Sequence, residues 1–486
     1  MSWTKAQNDA IIARDCNLLV AAAAGSGKTA VLVERIIQLV LKDNIDIDRM
    51  LIVTFTQAAA GEMRERISKA LHDELEKKEE RENHLRRQLK LLNKASISTI
   101  HAFCTDVLRR YFHLVGIDPG FRIADSMESD LIKLETLEDI FESFYAQGDP
   151  DFFNLVEAFG TSKSDQSLQE LVLRTYEFAQ CKPYPEQWIR DRANDFLLSK
   201  EEFPHCLWVK NLIKDIKIQV QAAGDLFQEA IKLCCQPGGP VEYTDVLHSD
   251  YKIVKELLKT LENGNIYDLY AYLQSISHAR LPRAGKNIDS DIKDKAKNLR
   301  DEGKKLIERV ISEFLFKEPE QLWQDLVELY PLMESFCQLV LEFSKEYQKR
   351  KAEKSLLDFN DLEHFALAVL SNPEAAAEYQ KKYDYIFVDE YQDSNEVQES
   401  LLNRIKRNNN LFLVGDIKQS IYRFRLADPT LFINKLQEYQ EGERSINRRI
   451  DLSTNFRSRE EILNGVNYIF SHIMSSHLGE ITYDSK

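Results

Sequence analysis

The feature that most constrains the fold is a glycine-rich turn that joins an apolar run to an amphipathic helical pattern. Residues 17–20 are short and apolar enough for a buried strand, and residues 29–41 carry apolar side chains at helical spacing. A second apolar run, residues 50–54, follows the helical pattern. Strand, helix and strand in this order form a βαβ unit with parallel strands. The sequence therefore predicts an α/β fold built on a parallel sheet.

Two later apolar runs extend this sheet. Residues 385–388 and 411–414 are each brief, apolar and followed by polar residues, as expected of buried parallel strands. In the long stretch before them, amphipathic helical patterns dominate and predict a large, mostly α-helical insert. We expect a first part of the α/β lobe, the helical insert, a second part of the α/β lobe and the beginning of a second lobe. These regions cover residues 1–110, 111–350, 351–449 and 450–486, respectively.

Composition narrows the class of protein without identifying a partner. The 486 residues are 43% hydrophobic and 29% charged, which are ordinary values for a globular chain. The net charge of -15 argues against a histone-like positive coat, but nucleic-acid binding depends on where Lys and Arg lie. The seven cysteines are scattered without C-x-x-C pairs, and neither a signal peptide nor a long apolar run is visible. We therefore expect a soluble, cytoplasmic protein with reduced thiols.

The glycine-rich turn has the pattern of a phosphate-binding loop. Gly25 and Gly27 let backbone N–H groups close around phosphate oxygens, and the helix N-terminus adds positive partial charge. Lys28 would reach the β- and γ-phosphates of ATP, and Thr29 would offer its hydroxyl to Mg²⁺. Ala22 takes the place of the first glycine of the general pattern, and an incidental glycine turn is the alternative. The expected nucleotide-binding residues of the turn are Ala24, Gly25, Ser26, Gly27, Lys28 and Thr29.

Acidic and polar residues after the later strands predict the rest of a phosphoryl-transfer site. Asp389 would hold Mg²⁺, and Glu390 would orient and deprotonate the attacking water. Gln419 would sense the γ-phosphate, and Arg457 is a candidate arginine finger. Taken singly, the acidic pair would be a solvated helix start, and Gln419 and Arg457 would be surface residues. Their order after a phosphate-binding loop favours the catalytic set of Lys28, Glu390, Gln419 and Arg457.

Aromatic side chains among polar neighbours follow several of the predicted strands. Bases stack on aromatic rings with about 1–3 kcal/mol each, while Arg, Thr and backbone donors hold phosphates. The alternative for each ring is packing in the core, and a histidine there could simply be hydrogen-bonded. The pattern predicts a surface for single-stranded nucleic acid. Its expected residues are Phe55, Thr56, Gln57, His101, Phe103, Tyr422, Phe424 and Arg425.

The order of these motifs resembles the superfamily 1 DNA helicases of the UvrD, Rep and RecB type, and most closely the AddA-type subunits of AddAB helicase–nucleases. The matching segments are residues 3–7 with Ala10 and Ile11, AAAAGSGKTAVLVERI, TFTQAAAGEMRERI, STIHAFC, LLDFNDLEHFAL, VDEYQDSNEVQ, VGDIKQSIYRFRLADP and NFRSR. The resemblance implies a RecA-like fold for the α/β lobe. It also implies that Gln7 reads the adenine edge, that Phe456 stacks on the adenine and that Arg457 contacts the γ-phosphate. Phe424 would stack on a DNA base.

The same resemblance implies a function. It implies ATP-driven 3′ to 5′ movement on single-stranded DNA, exonuclease activity in the whole protein, an AddB-like partner protein, and processing of duplex ends in double-strand break repair and recombination. The later helicase motifs and the nuclease signatures have no match here, so we expect an N-terminal portion that binds ATP with weak or no turnover. The alternatives are a non-catalytic module that binds single-stranded DNA or a partner, and a P-loop kinase or small-molecule ATPase without nucleic acid.

Overall fold

The computed structural model describes residues 3–77, 82–161, 164–285, 288–442, 445–475 and 481–483. Within these ranges the strands are β1 (Asn17–Ala22), β2 (Met50–Thr54), β3 (Ser96–Thr99), β4 (Arg122–Ile123), β5 (Leu356–Leu357), β6 (Tyr385–Val388), β7 (Leu411–Gly415) and β8 (Asn447–Leu452). The α-helices of the first half are α1 (Lys5–Ile12), α2 (Lys28–Lys42), α3 (Gln57–Lys77), α4 (Glu82–Leu92), α5 (Ile100–Val115), α6 (Ser126–Gln147), α7 (Pro150–Phe159), α8 (Gln166–Ala179), α9 (Pro185–Asn194) and α10 (Leu207–Cys234).

The remaining α-helices are α11 (Thr244–Glu262), α12 (Ile266–Gln274), α13 (Ser290–Arg309), α14 (Pro319–Glu328), α15 (Tyr330–Glu353), α16 (Phe359–Leu370), α17 (Pro373–Lys382), α18 (Glu396–Ile405), α19 (Pro429–Glu438) and α20 (Glu460–Ile473). Short 3-10 turns include Tyr391–Asp393, Ile417–Gln419 and Arg423–Arg425. Among the helices of the described ranges, none is both long and apolar enough to cross a bilayer.

The main sheet has six parallel strands in the order β3-β2-β6-β7-β1-β8. β1 lies between β7 and β8, with Leu18 opposite both Phe412 and Arg448. β2 and β7 are buried along their whole length, as expected of parallel strands covered on both faces. The predicted α/β fold class and its four predicted strands are confirmed. β3 and β8 add the two edges of the sheet, and β4 pairs with β5 in a separate two-stranded sheet.

Two apolar layers cover the sheet, one on each face. Leu18 and Val20 of β1 belong to the layer that includes α1, α2 and α3, whereas Leu19 belongs to the layer that includes α5, α16 and α18. Successive strand residues point to opposite faces, so one strand supplies both layers. The sheet is thus held rigidly from both sides, and the loops at its carboxyl edge start from fixed positions.

The chain divides into two compact units. The first comprises Met1–Asp149, Phe159–Trp188 and Leu339–Lys486 and contains the sheet. The second comprises Pro150–Ala158 and Ile189–Gln338, and its core is formed by α10 with α11 and α13. The helical patterns seen in the middle of the sequence are helices, and the division into four regions stays a prediction.

A buried ion network fixes the start of α16. The Lys351 Nζ donates to Asp358 Oδ2 at 2.8 Å and to Asp361 Oδ2 at 2.6 Å, and its side chain is 1% exposed. The Tyr347 hydroxyl donates to the same Asp358 oxygen at 3.1 Å. Burial and the neighbouring charge of Asp358 raise the pKa of Asp361 to about 6. One ammonium group therefore balances two buried carboxyl groups at the helix N-terminus.

We predict that Lys351→Ala lowers the free energy of unfolding by about 3–5 kcal/mol, because it leaves buried carboxyl groups without their cation. Urea unfolding followed by circular dichroism measures the change. Lys349→Ala is the matched control, since the Lys349 side chain is 61% exposed and pairs with Glu346 on the surface. We expect a change of about 1 kcal/mol or less for this control. Equal losses for the two variants would contradict the structural role of Lys351.

Candidate functional site

The turn after β1 forms a cradle at the N-terminus of α2. Gly25 and Gly27 have φ angles of +69° and +86°, a left-handed conformation that glycine adopts without strain. Gly27 is the N-cap of α2, so the first N–H groups of the helix face the same space. The Ser26 hydroxyl is buried and has no hydrogen-bond partner among the described residues. Free backbone donors and an unpaired buried hydroxyl fit an anionic ligand such as phosphate.

Gln7 supports this cradle from α1. Its Nε2 donates to the carbonyl oxygen of Ser26 at 3.0 Å, and its Oε1 accepts from the Thr4 N–H at 3.0 Å. The side chain is buried, and the second bond belongs to the capping box of α1. Gln7, predicted as an adenine contact, thus also links the first helix to the cradle.

The loop after β8 lies directly on the cradle. Asn455 Nδ2 donates to the Ala24 carbonyl at 2.7 Å, and the Phe456 N–H donates to the Gly25 carbonyl at 2.9 Å. Asn455 Oδ1 accepts from the N–H groups of Arg457 and Ser458, both at 2.8 Å. A Cβ atom at Gly25 would lie 2.8 Å from the Asn455 side chain. These contacts place the predicted Phe456 and Arg457 beside the turn, with both side chains exposed.

The acidic pair after β6 faces the cradle. Lys28 Nζ lies 3.1 Å from Glu390 Oε2, and the Lys28 side chain is 12% exposed. Asp389 Oδ1 accepts from the Glu390 N–H at 3.0 Å. Burial and the negative charge of Glu390 raise the pKa of Asp389 to about 6. The structure thus brings Lys28, Asp389 and Glu390 together, and Thr29 follows Lys28 in the first turn of α2.

A chain of hydrogen bonds joins Glu390 to Gln419. The buried Gln392 donates through Nε2 to Glu390 Oε2 at 2.9 Å and accepts at Oε1 from the Asp416 N–H at 2.9 Å. Gln419 Nε2 donates to Asp416 Oδ2 at 2.7 Å. A Cβ atom at Gly415 would collide with the Gln392 amide oxygen, so a larger residue there would displace this amide from its hydrogen bonds. Gln392 and Asp416 were not predicted from the sequence. The only feature that could have indicated either residue is its position, as a polar residue shortly after a buried strand.

A cavity of about 320 Å³ opens beside this cluster. Its polar lining residues include Asp416, Gln419 and Asn455, and α20 contributes the apolar side chains of Val466 and Phe470. This volume lies at the lower end of the range of small-molecule sites, about 300–1,000 Å³. The cavity is therefore a candidate site for the part of a ligand that extends beyond the cradle.

A second cavity, of about 510 Å³, forms an aromatic groove in the same compact unit. The rings of Phe55 and Tyr422 lie 4.6 Å apart, and those of Tyr422 and Phe424 lie 5.9 Å apart. The Arg425 guanidinium lies 5.3 Å from the centre of the Tyr422 ring and 5.7 Å from that of Phe424. Phe424 is 75% exposed. The groove brings together six predicted residues, namely Phe55, Thr56, His101, Tyr422, Phe424 and Arg425.

Two predicted contacts lie elsewhere. Gln57 lines an adjoining cavity of about 400 Å³. Phe103 is 2% exposed and packs edge-on against Tyr379 with ring centres 5.7 Å apart. In α5 it lies two residues beyond His101, which turns it to the opposite face of the helix and into the core. Its ring is not accessible to a base in this structure, and the competing interpretation, core packing, fits its environment.

Helix α16 supplies two groove residues that were not predicted from the sequence. Phe359 is 53% exposed and meets the His101 ring edge-on, with centres 5.0 Å apart. Glu363 is buried, and its Oε1 lies 3.1 Å from His101 Nε2. Phe359 could have been suspected as an aromatic residue among polar neighbours. No local pattern distinguishes Glu363 from the exposed glutamates of other helices.

The cradle side and the groove share a wall. A narrow cavity of about 60 Å³ is lined by Phe55 and His101 together with Asp389 and Glu390. Asp393 lines both this cavity and the groove, and burial with the charge of Glu390 raises its pKa to about 6. Within the described ranges, no group of three or more His, Cys, Asp or Glu side chains could hold a metal ion. A cation here would need oxygen atoms from its ligand as well.

Comparison with known proteins gives a consistent result. Residues 3–440 match the family model of the UvrD/REP helicase N-terminal domain. The A subunit of the ATP-dependent helicase/nuclease of Alkaliphilus oremlandii is 55% identical over 484 residues, which are 100% of this chain and 40% of that protein. The same-named proteins of Syntrophomonas wolfei and Clostridium perfringens are 54% and 45% identical, over 100% of this chain and 39% of each relative. The chain thus spans about two-fifths of the length of these curated relatives.

We predict that Asn455→Ala loosens the loop that lies on the cradle. The change removes three hydrogen bonds worth about 1 kcal/mol each, so the free energy of local opening should fall by about 2–3 kcal/mol. Hydrogen exchange of the Phe456, Arg457 and Ser458 amides measures this opening. Asn464→Ala in the exposed face of α20 is the control and should leave these rates unchanged. Unaltered exchange in Asn455→Ala would show that its side chain does not hold the loop.

Proposed function

Because the chain belongs to the family of UvrD/REP helicase N-terminal domains, we propose that it is the nucleotide- and DNA-binding lobe of an ATP-dependent DNA helicase/nuclease. One observation carries the proposal. The loop that follows β6 supplies both sites, because its Glu390 forms the ion pair with Lys28 at the cradle and its Asp393 lines the aromatic groove. A ligand that changes the contacts of Glu390 would therefore change the electrostatic surroundings of Asp393 in the groove.

In the nucleotide site, the backbone of residues 24–29 and the Ser26 hydroxyl would bind the phosphates of ATP. Lys28 would exchange its contact with Glu390 for the β- and γ-phosphates, which frees the carboxylate to orient and deprotonate the attacking water. Thr29 and Asp389 offer the hard oxygen donors that suit Mg²⁺, and the phosphates and water would complete its shell. The metal would neutralise phosphate charge when bound. Gln419 would sense the γ-phosphate through the chain that leads to Glu390.

The rest of the nucleotide would extend from the cradle. Phe456 is exposed beside the turn, where its ring could stack on the adenine, and Arg457 could reach the γ-phosphate. Gln7 Nε2 uses one N–H for the Ser26 carbonyl, and its second N–H would serve the adenine edge. The support for these roles is their placement around one turn.

In the groove, bases of single-stranded DNA would stack on the rings of Phe55, Tyr422 and Phe424, while Arg425 and Thr56 would contact the backbone. ATP-driven steps along one strand in the 3′ to 5′ direction belong to the proposal through the resemblance to superfamily 1 helicases. The relatives are each named as one subunit of a helicase/nuclease. Those names support a larger assembly with at least one other subunit. An AddB-like partner, a cytoplasmic location and work on duplex ends in double-strand break repair are parts of the proposal that rest on the family resemblance.

We predict that Lys28→Ala lowers ATP affinity about 100-fold, since the phosphates lose a charged hydrogen bond worth up to about 3 kcal/mol. Isothermal titration with ATP and Mg²⁺ measures the affinity. The control is Lys42→Ala, because Lys42 is exposed in the last turn of the same helix. An unchanged affinity in Lys28→Ala would refute the nucleotide site.

Repeating the titration with an oligothymidylate separates the proposal from a small-molecule ATPase. We expect single-stranded DNA to change ATP affinity in the wild-type chain, and ATP to change DNA affinity by the same factor. Absence of both DNA binding and coupling would favour the ATPase without nucleic acid.

We predict that Phe424→Ala weakens the binding of single-stranded DNA by about 1–3 kcal/mol, the contribution of one stacked base. Fluorescence anisotropy of a labelled oligothymidylate measures the loss. Phe316→Ala is the matched control, because Phe316 is 61% exposed in the other compact unit. Equal affinities of Phe424→Ala and the wild-type chain would remove the groove from the proposed DNA path.

A further inference from the structure

Glu363 is a buried carboxylate at the edge of the aromatic groove. It is 3% exposed, and its Oε1 lies 3.1 Å from His101 Nε2. The Gln398 amide donates to Oε1 at 2.8 Å, and the Asn395 amide donates to Oε2 at 3.3 Å. All three partners approach one buried group from different positions along the chain. Such an arrangement fixes the orientation of each partner, including the histidine ring.

The carboxylate keeps its charge in this environment. Burial alone would raise the pKa of Glu363, but the hydrogen bonds from His101, Gln398 and Asn395 hold it below its ordinary value. A buried negative charge is stable only with a compensating cation or several donors. The two amides are neutral, so the contact with His101 is the one that can add a positive charge.

His101 is a lining residue of the groove. It is partly exposed and lines both the groove and the adjoining cavity of about 400 Å³. Because Nε2 is engaged by Glu363, a ligand would meet the other ring nitrogen, Nδ1. Phe359 packs edge-on against the ring and restricts its rotation. The other charged side chains lining these two cavities are Asp106, Lys133, Glu177, Asp393 and Arg425.

We propose that Glu363 is a positioning residue that holds His101 as an imidazolium, with its Nδ1–H directed at a phosphate of single-stranded DNA. With Nε2–H on the carboxylate, a neutral ring would present Nδ1 as an acceptor and repel phosphate oxygens. The imidazolium donates from both nitrogens, so the same orientation becomes attractive. The inference rests on the proposed DNA-binding function and adds a backbone contact beside the stacking rings of Phe55, Tyr422 and Phe424.

The test is a double-mutant cycle on DNA binding. Binding of a labelled oligothymidylate is measured over a range of salt at about pH 7.5, above the ordinary pKa of histidine, about 6.5, so that only a ring paired with a carboxylate keeps its charge. The variants are Glu363→Gln, His101→Gln and the two combined. His113→Gln is the matched control, because His113 is exposed on the same helix outside the groove. Circular dichroism checks that each variant is folded.

Loss of one phosphate contact lowers the slope of log affinity against log salt by about 0.7 for a single strand. We expect this decrease in His101→Gln, the same decrease in Glu363→Gln, and no further decrease in the combined variant. Adding His101→Lys to Glu363→Gln should restore the slope, because lysine carries its charge without a carboxylate partner. The slope of the control should equal that of the wild-type chain.

Three outcomes would overturn the inference. An unchanged slope in His101→Gln would show that the histidine bears no charge at a phosphate, whatever happens to Glu363→Gln. Additive losses of affinity in the combined variant would show that Glu363 acts on the fold rather than through His101. In both of these outcomes the wild-type chain still binds DNA. A wild-type chain without affinity for DNA would instead overturn the proposed function together with this inference.

Discussion

The parallel pairing of six strands is the constraint on which the rest of the structure depends. Parallel strands end at the same edge of a sheet, so the loops after β1, β2, β3, β6, β7 and β8 all emerge together. Their order along the sheet then decides what can meet. β1 and β8 are neighbours and bring the cradle to Asn455, whereas β2 and β3 are neighbours and bring Phe55 to His101. β6 lies between these pairs with β7, so the loop that follows it borders both sites.

This central position explains why the loop after β6 is so densely hydrogen-bonded. Glu390 takes a left-handed backbone conformation with φ of +52°, which a non-glycine residue adopts only where its surroundings hold it. Lys28 and Gln392 both bind its carboxylate, and Gln392 continues to the loop after β7. Movement of Lys28 toward a phosphate would therefore alter the hydrogen bonds of Gln392 and Asp416. The ion pair and the amide form a physical connection between three loops of the sheet edge.

The sequence predicted the parts of this structure that have a local signature. The glycine turn, four buried strands and the motif order were visible because each depends on neighbouring residues, and the family resemblance is confirmed by the match over residues 3–440. Interactions that join distant segments had no such signature. Glu363 lies 262 positions from His101, yet the two side chains are in contact. Phe103 shows the opposite failure, because its aromatic character fitted a surface role while the helical period turned it into the core.

The two buried acidic clusters of α16 illustrate how the fold supports the groove. At the start of α16, the Lys351 ammonium group pairs with the carboxylates of Asp358 and Asp361. In the second turn of the helix, the Glu363 carboxylate pairs with His101. The first cluster is closed, with its cation 1% exposed, and can only fix the helix. In the second cluster the partner of the carboxylate is accessible to a ligand, because His101 lines the groove. Because the first cluster fixes α16, the Glu363 carboxylate on this helix can hold the His101 ring in one orientation. The stability of the first cluster is therefore a condition for the geometry of the second.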